Sequence, residues 1–403
     1  MTPSERLFVF GCEESYFFRG GQPFNAGEYG YLPSSFPPNC QVMQGAIRTA
    51  LLKGHGVDFA DYNKNNYCSV CGGGIDVCSV LKAVGSSGSY HDIGMDLKGP
   101  CVVHRSGSNI QRLYPAPLDL VRQETTSGRG NYVRLRPSLE PLVTDRGLLY
   151  LPAGESRYKS LEDAWITEDG LLSYLTGKEV QAKNIYWSKG ELERDSNVFL
   201  AREKRIGIAR DHVKRVAKEH MLYATEHVRF RTEYGLGVRV GSLPEVTLPS
   251  IVKLGGEGRI SSLQTYETMP ISQVGISDAI KQGPGLFSEQ GFKLTLLTPV
   301  RFSSGWLPDG FKSIEVKGAM VWQGKLEGIN CTLVTACMDR PLYIGGWDVA
   351  NRRPKPRRAY VPAGSTYYLT TSEDIEEVIT AMHDKKIGLE TQIGCGHVVV
   401  GRW

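Results

Sequence analysis

Glycine and proline punctuate this chain so densely that it has to fold from short elements joined by many turns. Of its 403 residues, 46 are Gly and 21 are Pro. Glycine opens positive φ to the backbone, and proline fixes φ and removes a donor, so both tend to end helices and strands. That density lies above the ordinary globular level and below that of low-complexity chains. Hydrophobic residues at 41% and charged residues at 22% supply the material of a core, which excludes wholesale disorder. A chain of this length is expected to divide into roughly two or three domains.

The balance of 47 Lys and Arg against 43 Asp and Glu leaves a formal charge of +4. Local patches rather than the total must therefore set any affinity for nucleic acid. No stretch approaches the ~18 consecutive apolar residues of a membrane helix, and the apolar run Leu7-Phe8-Val9-Phe10 is too short for a signal-peptide core. A cytoplasmic location without membrane contact is expected. The 9 Cys form an odd count, scattered apart from one cluster, so free thiols are expected rather than a disulfide framework.

The same apolar run reads as a buried strand, and a turn-rich segment follows from Gly20 to Pro38. Between Asn39 and Leu52, Val42, Met43, Ala46, Ile47, Ala50 and Leu51 recur at helical spacing, and Lys53-Gly54 closes the helix. Residues 61–98, rich in Asn, Cys, Gly and Ser, read as an insertion into the first domain. Apolar patches at 161–165 and 171–175 predict a helical connector over 158–185. The second half is strand-like around residues 227–231, 237–240, 292–297, 318–322 and 331–336. A last helix starts between Thr371 and Asp374, presents Ile375, Val378, Ile379 and Met382, and stops at Gly388; a final strand covers 397–400. Without βαβ alternation the fold class is α+β. The predicted modules are 1–215 and 216–403, with the hand-over inside 203–226.

Four stretches carry more specific information. They are Phe17-Phe18-Arg19-Gly20-Gly21-Gln22-Pro23-Phe24, with Ser34-Ser35-Phe36-Pro37-Pro38 and Gly45-Ala46-Ile47-Arg48 behind it; Leu254-Gly255-Gly256-Glu257-Gly258-Arg259; Leu297-Thr298-Pro299-Val300 with Gly305-Trp306-Leu307-Pro308; and Gly345-Gly346-Trp347-Asp348 with the basic run after it, closing on Gly394-Cys395-Gly396-His397. In order and spacing they resemble the RAMP superfamily of CRISPR proteins, and within it the third subunit of the type III-B (Cmr) effector complex. The resemblance covers nearly the whole chain except the insertion around 63–80. It implies two ferredoxin-like (RRM-like) modules with insertions, a β-hairpin or loop thumb, and no nuclease activity. It also implies a task in antiviral defence: anchoring the repeat-derived 5′ handle of the CRISPR RNA while touching the large polymerase-like subunit and a backbone RAMP subunit. The thumb falls either in the Cys-rich insertion or in residues 107–132.

The residues carry chemistry of their own. Arg352, Arg353, Lys355, Arg357 and Arg358 crowd one segment. Pro354 and Pro356 hold its backbone extended, deny it both helix and ladder, and splay alternate side chains. Pre-extended cations suit phosphate, with affinity that falls as salt rises. Trp347 and Tyr360 are stacking candidates, and a solvated loop is the competing reading. Arg19 and Gln22 flank two glycines whose N–H groups would approach a ligand closely, although a plain tight turn explains the glycines equally well; Ser34 and Ser35 follow in the same motif. On the first helix Gln41 and Gln44 are placed to meet phosphate or base edges, with Arg48 one turn beyond Gln44 on the same face. An ordinary exposed helical face is the alternative.

The loop from Gly255 to Arg259 lacks the terminal Lys-Ser/Thr of a phosphate loop and the Rossmann spacing, so nucleotide hydrolysis is not expected; Glu257 and Arg259 orient a turn or contact RNA. In the resemblance, Gly394, Gly396 and His397 form a glycine-rich loop that faces RNA, against a plain close approach of strands. Cys68-x-x-Cys71 with Cys78 puts three thiols on the insertion, with His91, Cys101 and His104 as candidate fourth ligands of a structural zinc. Free thiols are the alternative, since no second Cys-x-x-Cys follows. An enzymatic alternative also stays open: some RAMP proteins are metal-independent endoribonucleases that process CRISPR precursor RNA, and His55 and His397 are candidate general bases. Neither has a legible acid partner, and the wider match favours a non-catalytic RNA-binding subunit. Zinc deaminase chemistry is discouraged, because no His-x-Glu stands upstream of Cys68.

Overall fold

The computed structural model describes residues 5–20, 31–107, 109–124, 130–154, 157–190, 196–211, 213–348 and 351–403, with the backbone alone for 209, 211 and 217–222. In chain order, the elements used below are β1 (Arg6–Cys12), α1 (Cys40–Gly54), α2 (Phe59–Asn65), α3 (Ser79–Val84), β2 (Asp96–Ser106), α4 (Glu168–Leu175), β3 (Leu200–Asp211), β4 (Val216–Phe230), β5 (Tyr234–Gly241), β6 (Ile260–Glu267), α5 (Ile276–Lys281), β7 (Glu289–Leu296), β8 (Ile329–Cys337), β9 (Leu342–Asp348), β10 (Arg353–Tyr360), β11 (Thr366–Thr371), α6 (Ile375–Met382) and β12 (His397–Gly401). The fold is α+β, mostly sheet with few helices. Among the described residues no helix is long and apolar enough to cross a membrane.

The chain divides into two discontinuous units: residues 1–110, 188–268 and 343–358, and residues 111–187, 269–342 and 359–403. The predicted single hand-over inside 203–226 is therefore not where the units part. That segment lies within the long β3–β4 hairpin, which runs through it in register from Leu200 opposite Phe230 to Ile208 opposite Leu222. Pairing of strands far apart in sequence makes the units discontinuous: Arg6 lies opposite Val240 on one side and Glu267 on the other.

In the first unit the strand order is β2–β5–β1–β6, all antiparallel. The apolar run forms β1, and Leu7, Phe8, Val9 and Phe10 are all buried because the strand sits between two neighbours and is covered on both faces. α1 follows β1 and packs on β2. It starts at Asn39, whose side chain accepts from Val42 N at 2.9 Å, and it buries Met43, Ala46, Ile47, Ala50 and Leu51 as their spacing predicts. The insertion is not bare loop: α2 and α3 form inside it. β9 and β10 make a two-stranded ribbon.

In the second unit the order is β12–β7–β11–β8, again antiparallel. α6 lies between β11 and β12 and buries Ile375, Val378, Ile379 and Met382. It ends at Met382, earlier than predicted, because Lys385 and Lys386 pair with β12 opposite Val398 and His397. The predicted connector is only half helical. Residues 164–167 are a strand whose Trp165 and Ile166 pair with Tyr186 and Ile185, and the helix α4 begins only after it. Asp163, at φ 57°, already departs from helical backbone.

Candidate nucleic-acid interface

The face of α1 turned away from its core carries Gln41, Gln44 and Arg48 at three- and four-residue spacing. It forms one wall of a cleft of about 400 Å³ within the first unit. A second wall is the loop Ser87–Tyr90 at the far end of the insertion, and the third is the β9–β10 ribbon with Gly345, Gly346, Trp347 and Lys355.

The three α1 side chains do different things. Gln44 is only 7% exposed, and its Nε2 has no hydrogen-bond partner among the described residues. A buried amide donor left unpaired costs about 1–3 kcal/mol, a cost that an acceptor entering the cleft would relieve. Arg48 is spent on the protein. Its guanidinium donates to Ser89 O at 2.9 Å and to Ser86 O, and lies over the Tyr62 ring at 5.8 Å. Burial pulls it below the ordinary arginine value. Gln41 accepts at Oε1 from Lys355 Nζ at 3.3 Å, and the same ammonium stands 5.5 Å from the Tyr90 ring centre. The cleft thus offers an amide donor, an ammonium and the rings of Tyr90 and Trp347, the latter 58% exposed.

Beyond the cleft, Arg352, Arg353, Arg357 and Arg358 are exposed, and Arg357 lies 5.4 Å from the Tyr343 ring centre. The prolines do not prevent a ladder here, contrary to the expectation. Pro354 and Pro356 are two residues apart, so both missing N–H groups fall on the same side of the strand. A two-stranded ribbon leaves each strand one side without pairing demand. Tyr360 is not an open stacking platform: it is buried in the second unit, where its hydroxyl donates to Glu390.

The other predicted residues are more dispersed. Arg19 and Ser35 are exposed, whereas Ser34 is buried and its Oγ accepts from Phe18 N at 2.9 Å; Gln22 lies outside the described residues. Arg259 is held by Glu14 and by Glu257 at 3.5 Å. Its loop packs on the first motif: Gly256 N donates to Phe17 O at 2.7 Å, and a Cβ at Gly255, φ 86°, would stand 2.7 Å from that same oxygen. In the second unit, Gly394, Gly396 and His397 are interior. A Cβ on Gly396, φ 78°, would meet Ile387 O at 1.9 Å, and His397, 1% exposed, holds Asp384 Oδ1 at 2.8 Å. Close strand approach accounts for that loop. The candidate fourth zinc ligands are engaged elsewhere: Cys101 donates to Gly237 O at 3.5 Å, His104 stacks on Tyr234 at 4.4 Å, and His91 lies against Tyr90.

A family model described as CRISPR-associated protein (Cas_Cmr3) matches residues 13–403. The chain belongs to the Cas_Cmr3 family. The motifs from Phe17 to His397 point to the same family. No curated protein matches the chain. Among solved structures it is similar to a chain of the type III-B Cmr-beta complex bound to cognate target RNA and AMPPnP, at 14% identity and a TM-score of 0.42, over 90% of this chain and 86% of that one. A chain of Cmr-beta bound to cognate target RNA matches at 14% identity and a TM-score of 0.42, over 98% and 96%. A chain of the Csm3–Csm4 subcomplex of the type III-A CRISPR-Cas interference complex matches at 11% identity and a TM-score of 0.33, over 92% and 94%.

Of the cleft, Gln41, Gln44, Arg48, Trp347 and Lys355 are legible in the sequence. Tyr90 and its loop are not. They sit at the end of a Ser- and Gly-rich stretch with no periodicity, and only folding of the insertion brings them beside Lys355.

Proposed function

We propose that this Cas_Cmr3 protein is a non-catalytic RNA-binding subunit of a cytoplasmic type III-B effector complex in antiviral defence, and that it grips the repeat-derived 5′ handle of the CRISPR RNA at the α1–ribbon cleft. The observation that carries this reading is the amide nitrogen of Gln44, without a partner among the described residues and buried in a cleft that also holds Lys355, Trp347 and Tyr90. A donor, a cation and exposed rings together meet what a single-stranded RNA presents: base edges, phosphates and base faces. The arginines of β10 extend the track.

Each unit is read as a ferredoxin-like module. Strand order supports this: numbered within each unit, both sheets run 4-1-3-2, with one helix retained in each. The apolar side chains Ile206, Ile208 and Val216 on the β3–β4 hairpin, all exposed, offer contact to the large polymerase-like subunit or a backbone RAMP subunit. The histidines of the endoribonuclease alternative are poorly placed. His55 stands against Cys71, and His397 is buried.

The test titrates the protein, with and without the large subunit, against RNA carrying the repeat-derived handle and against scrambled RNA, scoring binding and cleavage together. Handle-selective binding without product is expected. Metal-independent cleavage would overturn the non-catalytic reading, and binding without selectivity even beside the large subunit would reduce the chain to an assembly scaffold.

A further inference from the structure

The insertion contains a small cluster that the RNA reading does not use. One ring nitrogen of His55 and the sulfurs of Cys68, Cys71 and Cys78 all lie within 4.8 Å of one another, with His55 Nε2 to Cys71 Sγ at 3.1 Å and Cys71 Sγ to Cys78 Sγ at 3.5 Å. A tetrahedral zinc with Zn–S near 2.3 Å and Zn–N near 2.0–2.1 Å requires ligand separations of about 3.5–3.8 Å. We infer that His55, Cys68, Cys71 and Cys78 form a structural Cys3His zinc site.

Two further observations support the cluster as a built site. First, from residue 66 to residue 78 only Cys68 and Cys78 are buried, while Val70 and Val77 are 56% and 70% exposed. A loop that turns its valines outward and two of its three thiols inward, with Cys71 at the surface above them, is not organised around an apolar core, so its order has to come from another source. Second, the backbone is shaped around a sulfur. Cys68 N donates to Gly73 O and Gly72 N to Cys68 O, both at 2.9 Å, and this turn brings Cys71 N to 3.5 Å from Cys68 Sγ. An N–H aimed at sulfur favours a thiolate, the form that binds metal. The fourth ligand comes from outside the loop. His55 is the C-cap of α1, with its own N–H bonded to Leu51 O and the next N–H, of Gly56, to Lys53 O, both at 3.0 Å, so the ion would staple the insertion to the end of the helix whose outer face lines the cleft. Three soft sulfurs and one imidazole suit zinc over oxygen-seeking magnesium or calcium.

The full chain, purified under reducing conditions without chelator, should contain one zinc per molecule by elemental mass spectrometry. Replacing zinc by Co²⁺ should give thiolate charge-transfer and tetrahedral ligand-field absorption. Cys71→Ser and His55→Ala should each weaken zinc retention against a competing chelator by more than about tenfold. Because such variants can fail to fold, the wild-type chain is also measured alone: chelation should expose three further thiols to a thiol reagent and lower the unfolding temperature. A metal-free chain that takes up neither zinc nor Co²⁺, or a Cys71–Cys78 disulfide found by peptide mapping, would overturn the site. None of these readouts depends on RNA.

Discussion

The two units share a strand order and use their helices in opposite ways. α1, in the first unit, follows the first strand and has no acidic residue in its first turn; α6, in the second, follows the third strand and opens with Asp374, Glu376 and Glu377. Acids at a helix start neutralise its partial positive charge and repel an incoming phosphate, whereas an amide cap leaves it available. The outer face of α1 also leaves Gln44 Nε2 unpaired among the described residues, whereas a buried polar cluster of the second unit is closed on itself. There Asp119 accepts from Tyr368 at 2.7 Å, from Thr366 and Lys293 Nζ at 3.2 Å, and from Tyr174. The two units thus differ locally: the cleft on α1 holds a buried donor without a partner among the described residues, and the Asp119 cluster is locked by internal pairing.

The largest effect should come from breaking the locked side. Lys293 and Asp119 are both fully buried, so Lys293→Met, which strands a buried carboxylate, is expected to cost about 3–5 kcal/mol. The urea midpoint measures this, and the fraction that remains folded should bind handle RNA as before. A variant of normal stability with lost RNA binding would erase the contrast between the units.

The open side should respond in the opposite sense. Gln44→Met removes an unpaired buried donor and should leave stability unchanged or raise it by up to about 1 kcal/mol, while weakening handle RNA by roughly tenfold. If RNA affinity holds and stability drops, Gln44 serves packing and the cleft loses its main support. Milder still is the ribbon. Arg357→Gln and Arg358→Gln should each flatten the salt dependence of RNA binding by about 0.7 in log–log slope, and an unchanged slope in the double variant removes β10 from the RNA track.

Acid provides the mildest test. Burial holds His104 and His227 in the first unit and His383 in the second below the ordinary histidine value. Each takes a proton more readily when unfolded, so its contribution is present above about pH 6.5 and is lost as pH falls through the folded values. The urea midpoint should therefore fall between pH 7 and pH 5, and a midpoint that rises instead would mean these rings gain partners when charged.

How much of this was legible depended on the range of the interaction. β1, α1, α6 and β12 announce themselves, because Leu7 to Phe10 is one apolar run and Met43, Ile47, Ala50 and Leu51 repeat at a helical period. The connector failed because Trp165 looks helical by its neighbours, yet its ladder partners Tyr186 and Pro115 decide for a strand. At the site, Gln44 and Arg48 are equivalent by spacing, and only the folded contacts separate an unpaired Nε2 from a guanidinium bonded to Ser86 and Ser89.

The sequence by itself determined the fold class, the helix that bears the cleft, the basic run and the thiol cluster, since each is written in residues a few positions apart. Tertiary structure alone decided that Lys355 meets Gln41, that His55 rather than His91, Cys101 or His104 faces the thiols, and that each unit is assembled from three separate stretches. Contacts between residues far apart in the chain leave no periodic trace in either segment; they exist only once the sheets have paired.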